Sequence, residues 1–267
     1  DLIIVNDVSN CASCHADYNA ETEPYHNWRG SMMSMASRDP LFRANLVIAN
    51  QDAPDSGDLC LRCHNYNGWV QGRSVPTDGS AMLESDLIGV SCDQCHRMVD
   101  PVYDAGVSPA VDSNILGALD NPGTEFGTGM LVLDPDSSAR RGPFSDPVAP
   151  HSFIQSPFHR EAALCGSCHD VSNPAFQKDG SGNYVPNATN TPASDFSAHN
   201  LVPVERTYSE WLNSEYNTPG GVVAPAFAGN APGGVVRTCQ DCHMRDHLGH
   251  GCDPVQFPDV PNRPDLP

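Results

Sequence analysis

The pattern Cys-x-x-Cys-His occurs five times: Cys11-Ala12-Ser13-Cys14-His15, Cys60-Leu61-Arg62-Cys63-His64, Cys92-Asp93-Gln94-Cys95-His96, Cys165-Gly166-Ser167-Cys168-His169 and Cys239-Gln240-Asp241-Cys242-His243. Two thiols about one helical turn apart, followed directly by histidine, is the spacing for covalent attachment of a c-type haem. The thiols become thioethers on the porphyrin vinyl groups, and the histidine is held beneath the ring to ligate the iron. One copy would also fit a zinc or redox pair; five copies, all ending in histidine, favour haem. Sharing 267 residues among five motifs leaves about 53 residues per haem. The chain is only 39% hydrophobic and holds 22 glycines and 24 prolines, poor material for an aliphatic core. Apolar rings can fill that place. The expectation is one haem-cored domain over residues 1–267, mostly coil, with short α-helices at the motifs and few strands.

The remaining cysteine is Cys252, so the chain has no spare pairs for a disulfide framework. Cys252 is read as an unused thiol or as a bridge to another subunit. Thioether haem attachment takes place outside the cytoplasm, which points to a periplasmic, cell-surface or extracellular protein. Residue 1 is Asp and no charged and apolar leader precedes the first motif, so the chain reads as exported with its signal peptide removed. No apolar run approaches the length of a membrane span. The formal net charge of −19 argues against nucleic acid and anionic membranes as partners and towards cationic proteins, metal ions or plain solubility. Lys178 stands alone against 13 arginines.

Five proximal histidines (His15, His64, His96, His169, His243) leave six others: His26, His151, His159, His199, His247 and His250. These are the distal candidates, one more than five irons need. The spare, most simply one of the His247/His250 pair, is surplus or serves a neighbouring subunit. Two axial histidines close an iron to substrate, the distinction that separates structural from catalytic metal sites. They also favour low potential, whereas a methionine ligand raises it. Met32, Met33 and Met35 are the alternative axial donors.

Along the chain, Leu2-Ile3-Ile4-Val5 reads as an extended start. Asp39-Pro40 is an N-cap and first helical residue. The helix it opens is expected to run to about Asn50, with Leu41, Phe42, Leu46, Val47 and Ile48 on its apolar face, placed against a haem. The second and third motifs, only 32 residues apart, predict neighbouring haems. Residues 97–150 and 173–200 read as long irregular segments, the first with a short strand near 130–133. Residues 160–169 read as helical, as does Glu205–Tyr216 with Trp211 and Leu212 inward. Asp179-Gly180-Ser181-Gly182-Asn183 has hairpin-turn chemistry. It matches only the first half of a calcium loop and lacks the closing glutamate.

The motifs and the text between them resemble multihaem c-type cytochromes of extracellular electron transfer in bacteria and archaea. The resemblance extends to His26-Asn27-Trp28 through Ser31, Met35-Ala36-Ser37-Arg38-Asp39-Pro40-Leu41-Phe42, Glu205-Arg206-Thr207-Tyr208-Ser209-Glu210-Trp211 and the Met244 that follows the fifth motif. Relatives often carry Trp-x-x-Ser-x-His where this chain ends that pattern in Met33. Some members polymerise into filaments (nanowires), with one haem ligated by a histidine of the next subunit. The resemblance implies an electron-transfer protein rather than an enzyme, a homopolymer, and redox partner proteins or extracellular acceptors. A soluble carrier, a docking subunit or a multihaem oxidoreductase with one open haem remain alternatives. The Cys-x-x-Cys-Lys haem of pentahaem nitrite reductases has no counterpart here.

Overall fold

The computed structural model describes residues 5–120 and 125–266. The extended start at residues 2–5 lies, apart from Val5, outside them. The chain is mostly coil, with short helices and, among the described residues, five small sheets. It divides into two compact units. One comprises Asp1–Met98, Leu133–Ser156 and Arg245–Pro267; the other comprises Val99–Val132 and Pro157–Met244.

In the first unit, Asp39 accepts the Leu41 N–H and opens helix Pro40–Asp52. Phe42 and Leu46, one turn apart, are its buried stripe and pack with Leu61 into a small core. Leu41, Val47 and Ile48, expected on the same face, are exposed, because they lie off that stripe. Strands Ala139–Gly142 and Ser152–Gln155 run parallel, and His247–His250 pairs antiparallel with Asn262–Leu266.

Gly89 marks a close approach in this unit. Its φ is +69°, and a Cβ there would fall 2.1 Å from the Met33 carbonyl oxygen. That same carbonyl accepts the Val90 N–H at 2.9 Å, so the Met33 turn is stitched to the start of the third motif. Gly89→Ala is expected to cost at least ~1 kcal/mol from the left-handed backbone alone. Thermal unfolding should show the midpoint lowered by about 2–4 °C or more.

In the second unit a three-stranded sheet has the order Tyr184–Pro186, Val171–Lys178, Leu201–Glu205. Its hairpin turns where expected: the Asp179 carboxylate accepts the N–H groups of Ser181 and Asn183, both at 2.9 Å. The 173–200 segment is therefore partly ordered as strand. Likewise 97–150 contains helix Ala110–Gly117 and strand Ala139–Gly142, besides the expected strand, present as Val132–Leu133. Residues 160–169 hold a shorter helix than expected, Ala162–Gly166, after a 3-10 turn at Pro157–Arg160. The expected Glu205–Tyr216 helix is also shorter, Thr207–Leu212, with Leu212 exposed and a 3-10 turn at Glu215–Asn217. Glu205 ends a strand instead. Arg206 anchors the junction by donating to the Val171, Leu201 and Ala198 carbonyls and to Asp170, which holds the chain out of helical register before Thr207.

That use of arginine recurs. Arg43, Arg97 and Arg140 each donate to loop carbonyls. Coil leaves carbonyls without ladder partners, and a guanidinium offers five N–H groups in a fixed fork. Lysine offers a point charge instead. The excess of arginine over lysine is thus a scaffold for irregular backbone.

Asp100 in the second unit titrates abnormally. Burial, followed by the nearby Glu161, Asp112 and Asp104 carboxylates, pushes its acid up from 3.8 to about 6, against the Val102 N–H that it accepts. The folded state therefore holds this proton more tightly than the unfolded chain. Its stabilising contribution is present below pH 3.8 and is lost as pH rises to about 6. Asp100→Asn should flatten that stretch of the stability-against-pH curve, read by denaturant unfolding at pH 4, 5, 6 and 7.

Candidate haem-binding site

Each motif is built on a helical turn that brings its two thiols to one side. Helix Val8–His15, capped by Asp7 on the Ser9 N–H, carries the first, and helix Gly57–His64 the second. Ser91 caps Cys92–Cys95, and Thr238 with Asp241 forms a capping box on Cys239–His243. The fourth spans the end of helix Ala162–Gly166, where the Tyr208 ring lies so close to Gly166 that a Cβ would meet it at 2.6 Å. All ten motif cysteines are half-buried free thiols.

Three of the five proximal imidazoles are aimed by hydrogen bonds. Nδ1 of His15 donates to the Gly251 carbonyl at 2.5 Å, that of His64 to Ala36 at 3.2 Å, and that of His96 to Arg141 at 2.8 Å. A carbonyl only accepts, so each Nδ1 carries the proton and Nε2 keeps its lone pair for a metal. Burial pushes His15 and His96 below the ordinary imidazole value, which favours the neutral form a ligand needs. Phe42 stacks on the His64 ring, centroids 4.0 Å apart and 1° from parallel. Among the described residues no group of three or more His, Cys, Asp or Glu is arranged to hold a bare metal ion. The donor set fits covalent haem: paired thiols with an oriented neutral imidazole beside them.

The motifs also lie beside one another. Cys11 and Cys92 are in thiol–thiol hydrogen-bonding contact, which pulls Cys11 down and pushes Cys92 up. Cys165 makes the same contact with Cys239 and pulls it down. The second and third motifs are joined by buried hydrogen bonds. The Ser37 hydroxyl donates to the His64 carbonyl at 2.6 Å and accepts the Gly89 N–H at 3.0 Å, and Ser91 donates to Asn67 at 3.3 Å. Motif three thus sits between motifs one and two in the first unit, and motifs four and five adjoin in the second.

Of the six further histidines, His26, His151, His247 and His250 belong to the first unit, with three motifs, and His159 and His199 to the second, with two. His26, His151 and His199 are exposed, while His159 is buried. His247 meets carbonyls at both ring nitrogens, Arg245 at 3.1 Å and Thr22 at 3.4 Å. The Nδ1 of His250 is buried with no hydrogen-bond partner. The side chains of Met32, Met33 and Met35 are exposed. Cys252 is buried, 6% exposed, and burial, with the nearby Cys14 thiol, pushes its own thiol above the ordinary value. It is not a surface thiol available to another subunit. Arg206 and the Asp93 cluster escaped sequence reasoning; the buried arginines carried no signal beyond the odd arginine-to-lysine ratio.

Comparison with known proteins agrees with these motifs. Residues 10–97, which include the first three motifs, match the family model "Cytochrome c554 and c-prime". The likeness to that family is confined to residues 10–97. A comparison with curated proteins finds no match. Among solved structures, the chain is similar to a penta-heme cytochrome c552 from Thermochromatium tepidum, at 17% identity and a TM-score of 0.44. That alignment covers 89% of this chain and 57% of the other, so this chain spans little more than half the length of that protein.

Proposed function

We propose that the chain carries five covalent c-type haems in two closely spaced runs and serves as a subunit of an extracellular conductive filament. When bound, such haems supply one-electron Fe(III)/Fe(II) chemistry. The observation that carries the reading is the adjacency of the motifs: three in the order two, three, one within one unit, and four beside five within the other. The protein supplies attachment, orientation and spacing, and no catalytic residue is assigned. Export from the cytoplasm, to the periplasm, the cell surface or beyond, accords with thioether attachment. Assembly is supported by large apolar side chains held in solvent, among them Leu41 at 73% exposure. The net charge of −19 favours a second reading, a soluble carrier, because like charge opposes packing of copies. A polymer then needs large interfaces, bound cations or a ligand donated across subunits.

The histidine count within each unit supports bis-histidine ligation. His159 and His199 suffice for two irons, and His26, His151 and His250 for three. His247, turned to two carbonyls, is the spare or the residue that serves a neighbour, and Met33 has no position left to fill. His250→Ala is expected to open one iron, so that carbon monoxide binding to the reduced protein rises by one equivalent per chain. His247→Ala should leave it unchanged in the isolated chain. Electron microscopy of the native extracellular fraction decides assembly: regular filaments with one 267-residue subunit per repeat support it, and dispersed particles leave the carrier. Carbon monoxide binding to the unmodified protein would instead favour an oxidoreductase.

A further inference from the structure

Motif three contains a charged residue between its cysteines, and that residue is buried. Asp93 is 1% exposed and engaged on all sides. Its Oδ2 accepts from Arg97 at 3.0 Å and from the Asn6 backbone at 3.1 Å; its Oδ1 accepts from Arg140 at 3.0 Å and from the Asn6 side chain at 3.2 Å. Arg97, fully buried, also donates to the Asp134 carbonyl. Arg141, equally buried, pairs with the Asp134 carboxylate at 2.6 Å. Arg141 exchanges backbone contacts with the third proximal histidine: its N–H donates to the His96 carbonyl at 2.7 Å, and its own carbonyl takes the His96 Nδ1 proton. The five charged groups Arg97, Arg140, Arg141, Asp93 and Asp134 carry three positive charges against two negative.

Such a cluster is costly as a stability device, since burying paired charges rarely beats apolar packing. Its position suggests another use. We infer that the Asp93–arginine cluster tunes the reduction potential of the haem on motif three, with Arg140 raising it and Asp93 lowering it. Reduction of an iron adds one negative charge. Nearby fixed positive charge favours that state and negative charge opposes it, and burial leaves both poorly screened. Asp93 lies between the two thioether positions and Arg140 is its partner, so each acts at short range. Motif three touches both other motifs of its unit, so the potential there decides whether electrons pause at the centre of the run or pass through.

This inference rests on the haem-chain reading, and the experiment separates the two. Asp93→Asn and Arg140→Gln each remove one charge while keeping a hydrogen-bonding side chain; Arg140 is the more exposed site, so its variant is the safer to fold. Spectroelectrochemical titration of the purified, fully loaded protein should show one of five one-electron steps displaced. The expected change is about tenfold in that step's equilibrium, about 59 mV. It runs upward for Asp93→Asn and downward for Arg140→Gln. No displacement in either variant, or displacement of both in one direction, overturns the inference, because a merely structural lesion has no reason to change sign with the charge removed. Haem content by the pyridine haemochrome assay is read on the same samples. Fewer than five haems in the unmodified protein would instead overturn the reading on which the inference stands.

Discussion

On the proposed five-haem reading, replacing Cys92 and Cys95 together with serine should lower haem content from five to four per chain and cut electron exchange between the first and second haems by orders of magnitude. The reason is position. Cys92 is in contact with Cys11, and the segment leading into Cys92 is hydrogen-bonded to the second motif through Ser37, Gly89, Ser91 and Asn67. Loss of the third haem therefore removes the middle of the run. The control is Cys60 and Cys63 to serine. It also removes one haem, but at the end of the run, so exchange between the first and third haems should persist. Haem content by pyridine haemochrome and intramolecular transfer after flash reduction read both effects. Equal impairment by the two variants would mean that the order two, three, one is wrong.

The second large effect is expected at Arg206. Its guanidinium meets Asp170, which directly follows His169, and donates to the carbonyls of Val171, Ala198 and Leu201. Asp170 is 2% exposed on its side chain and also accepts from Ser209 at 2.5 Å. Arg206→Ala leaves a buried carboxylate without its cation and strands several carbonyls, a loss of about 3–5 kcal/mol. Thermal unfolding of the second unit should move down by on the order of 10 °C. Arg206→Lys should recover only part, since an ammonium does not reproduce the fork. The same variant should disturb the low-spin signature of the fourth haem, because the Tyr208 N–H donates to the His169 carbonyl at 2.8 Å one step from the lesion.

What was legible in the sequence was local. The motif spacing placed each motif on a short helical turn, as Val8–His15, Gly57–His64 and Cys239–His243 show. Asp39-Pro40 announced its helix, and Asp179 to Asn183 its turn, because caps and turns depend on residues two to four apart. The 32-residue spacing of motifs two and three did predict neighbours, since a chain that short holds them together. The contact of Cys11 with Cys92 had no such sign, being set by folding over 81 positions. Strand Asn262–Leu266 was hidden in a proline-rich tail, and helix Ala110–Gly117 in a segment poor in apolar periodicity. The Glu205–Tyr216 helix was overestimated because its sequence favours helix while Arg206 is recruited by tertiary carbonyls. Helix Pro40–Asp52 was overestimated differently: five apolar side chains suggested a broad buried face, and only Phe42 and Leu46 occupy it.

The last segment of the chain has a consequence for how the molecule is made. His15 lies in the first motif, yet its Nδ1 is fixed by Gly251, 236 positions later, while Tyr18 donates to the His250 carbonyl and the Asp253 N–H donates to Cys14. A polypeptide made from its N-terminus presents this motif long before those partners exist. A haem attached beside His15 would acquire its finished surroundings only after residues 245–266 had followed. Until residues 245–266 arrive, its imidazole is free to rotate and its neighbouring thiols are open to oxidation. The surroundings of motif one are thus closed by residues more than 230 positions further along the chain.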